Sequence, residues 1–386
     1  MSALFQRESK TPAIGVDLGS GFVKMAQFKE EKGSLRLVNF GILKVPEGAI
    51  LEGRIEKPKE ITEILKELIS FHSFIGNRVV ANVSGQLVTV KEIVMEDLPD
   101  NELYEAIKWE IERFLPFPLE KAVFDYQVLN EIVAQNGTKK LNVLVAAAPL
   151  DVIQLTSELL SIANLKPVAL EVEPFSVLRL LRFTPGFGRE ENVLISAINI
   201  GHNYTSINMV DKMIVRFSRI LPIGGKKITE AIAGNLGKSF EEAEETKIKQ
   251  LNLGIENQVT KACLTLLNNL ALEIKRSISY YFNKFNEGKS MNTVVLLEGG
   301  SANIKGIEGF IEDSVGYPTE VNRLFTSIAT YDPTLFTKEY LHEMAPIFSV
   351  ATGLALREYK PKVSPRKGKA ATQEEQVKTF LTYKKG

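Results

Sequence analysis

The chain has one cysteine, Cys263, so no internal disulfide is open to it, which fits a reducing compartment. Its three histidines, His72, His202 and His342, are scattered and frame no metal centre, which leaves them surface or turn roles. Neither charge is in excess, with Lys+Arg and Asp+Glu both at 47, so no global field draws the chain to nucleic acid or an anionic membrane. No uncharged apolar run approaches the roughly 18 residues of a membrane span. Residues 1–10 are polar and lack the apolar stretch of a secretory signal. These absences predict a cytoplasmic protein that something else holds at any membrane where it works.

The composition that remains is globular, 44% hydrophobic and 24% charged, and 386 residues suit two domains. Apolar runs at 13–16 and 22–28 flank the glycine turn 17–21 and read as a β-hairpin. Further strands are expected at 35–45 and 79–83. A helix is expected at 59–71, with Ile61, Ile64, Leu65 and Leu68 on one face. Residues 84–165 read as an insertion with its own α/β pattern: strands at 87–95, 124–133 and 142–147, a helix at 101–115, and a helix at 151–163 capped by Asp151. A short helix at 174–181 and a linker at 184–191 follow. The second half reads as strands at 192–200, through 209 and at 213–220, helices at 226–233 and 256–285, a strand at 293–297, and helices at 304–314 and 347–357. The acidic run 241–245 reads as a solvated helix start, Cys263 as buried packing, and Trp109 as packing or interface. In the tail, Val377, Phe380 and Leu381 share one helical face beside Lys378, Lys384 and Lys385. That pattern fits a short basic amphipathic helix or a disordered tail.

One four-residue pattern recurs. Val16-Asp17-Leu18-Gly19 and Ile198-Asn199-Ile200-Gly201 each read apolar, Asp or Asn, apolar, Gly, about half the chain apart. This predicts a duplicated domain with two facing phosphate hairpins, unless the short pattern repeats by coincidence.

A polyphosphate needs backbone N–H groups aimed at its oxygens and a cation to offset its charge, and glycines let the main chain come close. Gly19, Ser20 and Gly21 can offer amides and a hydroxyl, Lys24 an ammonium, and Asp17 a carboxylate for Mg2+ through water. In the second hairpin Gly201, His202, Asn203 and Tyr204 can present amides, and Thr205 a hydroxyl. An apolar strand then runs into Gly299-Gly300-Ser301, where a base or ribose can lie against bare backbone. Lys275, Arg276 and Ser279 are polar among apolar neighbours on one helix and can line an adenosine pocket. Each piece also has a plain reading, as a glycine-rich turn or a solvated helix face.

In this order and spacing the motifs resemble the phosphate-1, phosphate-2 and adenosine motifs of the actin-like ATPase superfamily, over residues 13–357. The resemblance implies an α/β, actin-like fold of two ribonuclease-H-like domains with ATP and Mg2+ in the cleft between them. The run 275–279 looks like the adenine-contacting helix of chaperone ATPases. Within the insertion, Glu96-Asp97-Leu98-Pro99, Phe114-Leu115-Pro116-Phe117-Pro118-Leu119 and Phe124-Asp125-Tyr126-Gln127-Val128-Leu129 are more specific. With Glu173-Pro174-Phe175 and Pro222-Ile223-Gly224-Gly225 they resemble the PilM family of the type IV pilus inner-membrane platform, which is similar to FtsA. This implies a cytoplasmic ATP-binding scaffold that docks the cytoplasmic N-terminal peptide of a PilN-type membrane protein in a groove involving the insertion. It also implies contact with other platform components, possible self-association, and a membrane reached only indirectly.

The implied division is an N-terminal arm 1–12, a first actin-like domain 13–83 with 166–190 completed by a helix at 345–358, an inserted subdomain 84–165, a second actin-like domain 191–344, and a tail 359–386. Where actin-like enzymes carry Asp this chain has Asn199, a poor proton acceptor. Glu173 is the candidate to orient water, and slow or absent hydrolysis is expected. Two other readings stay open, an FtsA-like filament-forming membrane adaptor and an actin-fold small-molecule kinase.

Overall fold

The apolar runs fall into two mixed sheets of one design. The computed structural model describes residues 11–86, 88–133, 137–184, 192–285 and 291–361. In the first sheet, β1 (Ile14–Leu18), β2 (Phe22–Glu31) and β3 (Ser34–Lys44) form an antiparallel meander. A two-stranded hairpin, β4 (Ile50–Leu51) with β5 (Arg54–Ile55), follows it. β6 (Arg78–Val83) and β10 (Lys166–Val172) then extend the sheet in parallel on the β1 side. The second sheet repeats the plan. β11 (Val193–Ile200), β12 (Thr205–Asp211) and β13 (Ile214–Leu221) form the meander, with β14 (Asn292–Glu298) and β15 (Thr319–Val321) in parallel on the β11 side. Gly19 and Gly201 therefore stand at the same place, just past the first strand of each meander.

Strands covered on both faces need continuous apolar sequence. β1 (IGVDL) is buried at every position, and β11 (VLISAINI) at all but two. α1 (Pro58–Phe71) starts with Pro at its first turn, where no N–H is needed, and buries Ile61, Ile64, Leu65 and Leu68. α3 (Leu150–Ile162) adds Val152, Ile153, Leu159 and Leu160 to the same core. α4 (Glu173–Phe183) and α11 (Ser349–Ala355) pack on each other and bring the C-terminal end of the described chain back against the first sheet. In the second half lie α5 (Gly225–Leu236), α6 (Phe240–Gln250), α7 (Gln258–Phe285) and α8 (Ile307–Val315). α6 is fixed by a capping box in which Ser239 and Glu242 each bond the other's backbone N–H. The short α9 (Phe325–Ile328) and α10 (Lys338–Met344) lead to an aromatic cluster around Phe40, whose ring lies 4.9 Å from that of Phe348.

The inserted strands β7 (Thr89–Glu96), β8 (Ala122–Val133) and β9 (Lys139–Pro149) join the second sheet rather than stand apart. The join is a single pairing, Phe217 with Lys91, and gives an eight-stranded order β15-β14-β11-β12-β13-β7-β9-β8. α2 (Asp100–Glu112) covers the added strands with Leu103, Ile107 and Ile111 against Ile93, Leu141, Val143 and Val145.

Several local expectations need correction. Asp151 does not cap α3: the cap position is Pro149, and the Asp151 carboxylate sits in the first turn, 2.7 Å from Arg54 Nη1. The chain after Gly300 makes a short tight turn over Gly300–Asn303 before α8 starts at Ile307. β10 was not expected, because it opens on Lys166-Pro167 and carries a charged residue, Glu171, one position before its end. Residues 1–10, most of the linker 184–191, and the tail pattern at Val377, Phe380 and Leu381 lie outside the described residues.

Candidate functional site

The register of each meander sets a hairpin at the floor of one cleft. Leu18 pairs with Val23, which leaves Gly19 to Phe22 as the first turn. Ile200 pairs with Thr205, which leaves Gly201 to Tyr204 as the second, closed by Gly201 N–H donating to Tyr204 O at 3.0 Å. The two tips touch. A Cβ added to Gly21 would lie 2.7 Å from the His202 Cβ, so only glycine fits there. Further out, Lys226 Nζ at the start of α5 reaches the Glu47 carboxylate across the cleft at 2.8 Å.

Beneath the first turn, Asp17 is buried and fully engaged. Its Oδ2 lies 2.5 Å from Lys24 Nζ, and its Oδ1 accepts from Asn82 Nδ2 at 2.8 Å. Opposite, Glu173 opens α4 and points to the second sheet. Its Oε1 accepts from Asn199 Nδ2 at 2.9 Å and from the Ser206 hydroxyl. Burial pushes the Glu173 pKa up, against the pull of those two bonds. Glu298, the register neighbour of Asn199, is also buried, and burial pushes it up to about 8. Its Oε1 accepts from Asn322 Nδ2 at 2.6 Å, and its Oε2 has no partner among the described residues. Tyr204 donates to Ser84 Oγ at 2.7 Å, where the chain leaves the first sheet for the insertion.

The third motif closes the second hairpin from behind. Gly299 has φ +84, and a Cβ on it would lie 2.5 Å from both Asn199 Oδ1 and Ile200 O. Only a glycine allows that approach. Ser301 Oγ lies beside Gly225, whose N–H donates to Gly201 O at 2.8 Å, while Lys226 N–H donates to His202 O at 2.8 Å. Thr205 Oγ1 donates to Ile223 O, so its hydroxyl is engaged within the fold.

Sequence reasoning missed several members of this cleft. Asn82 and Ser206 were not named. The Glu241–Glu245 run was read as a solvated face, yet Glu244 and Lys247 turn inward. Lys247 Nζ donates to Gly225 O at 3.1 Å, Thr229 Oγ1 at 2.8 Å and Glu244 Oε2 at 2.7 Å, and burial lowers its pKa. The Gly224-Gly225 pair before a helix was the available signal. Lys275, Arg276 and Ser279 make their contacts elsewhere: to Ser314 O at 3.3 Å, to Glu273, and to the helix's own Lys275 O. None of those contacts reaches the hairpins.

Two sheets of one order, with glycine hairpins meeting in the cleft between them, define a protein of the actin-like fold. The family model of the type IV pilus assembly protein PilM matches residues 15–359, and the chain belongs to that family. Among solved structures it is similar to the "PilM-PilN type IV pilus biogenesis complex", at 28% identity and TM-score 0.79, over 91% of this chain and 99% of that one. A second likeness, to the ethanolamine utilization protein EutJ from Carboxydothermus hydrogenoformans, is one of fold alone: 15% identity, TM-score 0.52, over 89% of each chain. No helix among the described residues is long and apolar enough to cross a membrane.

Proposed function

We propose that the chain is an ATP-binding scaffold of the type IV pilus inner-membrane platform that docks the cytoplasmic N-terminal peptide of a PilN-type protein. The carrying observation is the contact of Gly21 with His202, which sets two amide-bearing turns against one small volume. The likeness to a PilM-PilN complex over 91% of the chain supports the partner. The residues fit a nucleotide: Gly19 to Gly21 and Gly201 to Tyr204 around the polyphosphate, Lys24 as its counter-charge, and Gly299 to Ser301 with Lys275, Arg276 and Ser279 beside the nucleoside, while Lys247 and Glu244 support the turn at Gly225. Asp17 would hold Mg2+ through water, and the ion when bound would offset phosphate charge. The proposal keeps the domain division given above and places the protein at the cytoplasmic face of the membrane through its partner.

Hydrolysis is slow or absent in this reading. Glu173 Oε1 is occupied by Asn199 and Ser206, and the Asn199 carboxamide is a poor proton acceptor. Nucleotide then stabilises one domain arrangement by mass action. The test is co-purification of the full chain with a PilN-type N-terminal peptide, with and without ATP. Retention of the peptide, stronger with ATP, is expected; no retention in either condition overturns the scaffold reading.

A further inference from the structure

We infer that Asp17 is a cation site that Lys24 keeps closed until a polyphosphate draws the amine away, and that Asn82 is the positioning residue that aims the carboxylate. The inference rests on the proposed placement of the polyphosphate and goes beyond it to how the two ligands depend on each other.

The lock is built into the hairpin. Asp17 and Lys24 are directly opposed in the β1–β2 register, so their pairing needs no help from distant chain. With Lys24 Nζ at 2.5 Å from Oδ2 and Asn82 Nδ2 at 2.8 Å from Oδ1, both carboxylate oxygens are engaged in the protein alone. Asn82 cannot turn its amide round. Its Oδ1 accepts from Leu18 N–H at 2.8 Å while its Nδ2 donates to Asp17, and a flip would lose both bonds inside a buried environment. Lys24 Nζ lies 3.6 Å from where a Cβ on Gly19 would stand, so the ammonium rests beside the first turn. A swing of the side chain would carry it from the carboxylate to an anion held at that turn.

A divalent ion arriving alone must expel Lys24 and leave a largely buried ammonium without its counter-ion, which is unfavourable. A polyphosphate supplies the new counter-ion, frees Asp17 Oδ2, and adds its own oxygens to the ion's surroundings. Cation and polyphosphate therefore bind with positive coupling, each raising the other's affinity by the same factor.

The test titrates Mn2+ into the nucleotide-free full chain and follows free Mn2+ by electron paramagnetic resonance. Wild type and Lys24→Arg are expected to show no saturable binding at Asp17. Lys24→Met is expected to show saturable binding, at least about tenfold tighter than the weakest affinity the titration resolves. Asn82→Ala added to Lys24→Met should remove about tenfold or more of that gain, as loss of an orienting partner does, and Asp17→Asn should abolish it. Thermal unfolding of each variant checks that the chain is folded. Equal Mn2+ binding by wild type and Lys24→Met, whether both bind or neither does, overturns the lock, as does a gain that survives Asp17→Asn. In a second arm, ATP added to wild type should produce protein-bound Mn2+, read as Mn2+ that stays with the chain through gel filtration, because ATP alone also removes free Mn2+. If only this arm fails, the polyphosphate placement falls and the lysine lock stands.

Discussion

Replacing Glu171 by glutamine is expected to cost about 3–5 kcal/mol of folding stability, the scale for breaking a buried ion pair. Glu171 lies in β10 and is 1% exposed. Arg179 from α4 grips it with two bonds of 2.7 Å, and Arg357, just past α11, pairs with the same carboxylate. Arg179 also donates to Gly353 O at 2.9 Å. One carboxylate thus ties a strand of the first sheet, a helix and the turn that follows α11. Burial pulls both guanidiniums down to about 10, so neither is comfortable without it. Glutamine keeps the shape and removes the charge, which leaves two buried cations facing each other. Denaturant unfolding of the full chain measures the loss; a cost below about 1 kcal/mol would contradict the role assigned to Glu171.

The second large effect is expected from Asn199→Asp. The asparagine donates to Glu173 Oε1 at 2.9 Å, and an aspartate would set a second carboxylate at that distance. Two like charges so close in a buried site do not both stay ionised. A loss of about 2–4 kcal/mol is expected at pH 8, below the Coulomb figure for an effective dielectric near 20. The sign of the pH dependence follows from direction. Glu173 is already raised above its ordinary 4.5 by burial, and the variant raises the pair further. A raised carboxyl gives stability that is full below the unfolded value and is lost as pH rises. The gap between variant and wild type should therefore be small at pH 5 and large at pH 8. A gap of equal size at both would show that charge is not the cause.

The sequence made the hairpins legible because their chemistry is local. A turn that ends a buried strand in Gly19-Ser20-Gly21 or Gly201 announces itself within a few residues. The repeat of that pattern anticipated the repeated sheet order. Glu173 and Asn199 were both singled out, and the fold joins them by a hydrogen bond no linear pattern displays. Other members were hidden for physical reasons. Asn82 sits in an apolar strand, and only the parallel register of β6 against β1 brings it to Asp17. Glu244 and Lys247, three apart on a helix, look like a surface pair until α5 packs over them. Among the described residues, Lys275 bonds to the end of α8 while Arg276 and Ser279 bond within their own helix, and a place for them beside an adenosine is not legible from those contacts. The union of the insertion with the second sheet depends on one pairing, Phe217 with Lys91, which no periodicity could announce.

The most direct measurement is ATP affinity by titration calorimetry for wild type and for Gly19→Val/Gly201→Val. A Cβ at Gly19 would lie 2.9 Å from Phe22 O, and one at Gly201 3.0 Å from Tyr204 O, so both turns must shift and re-aim their amides. If the two turns hold one polyphosphate between them, the double variant should lose about 100-fold or more in affinity, some 2.7 kcal/mol, while its cooperative unfolding persists. Affinity unchanged within about twofold in a folded double variant would contradict the account.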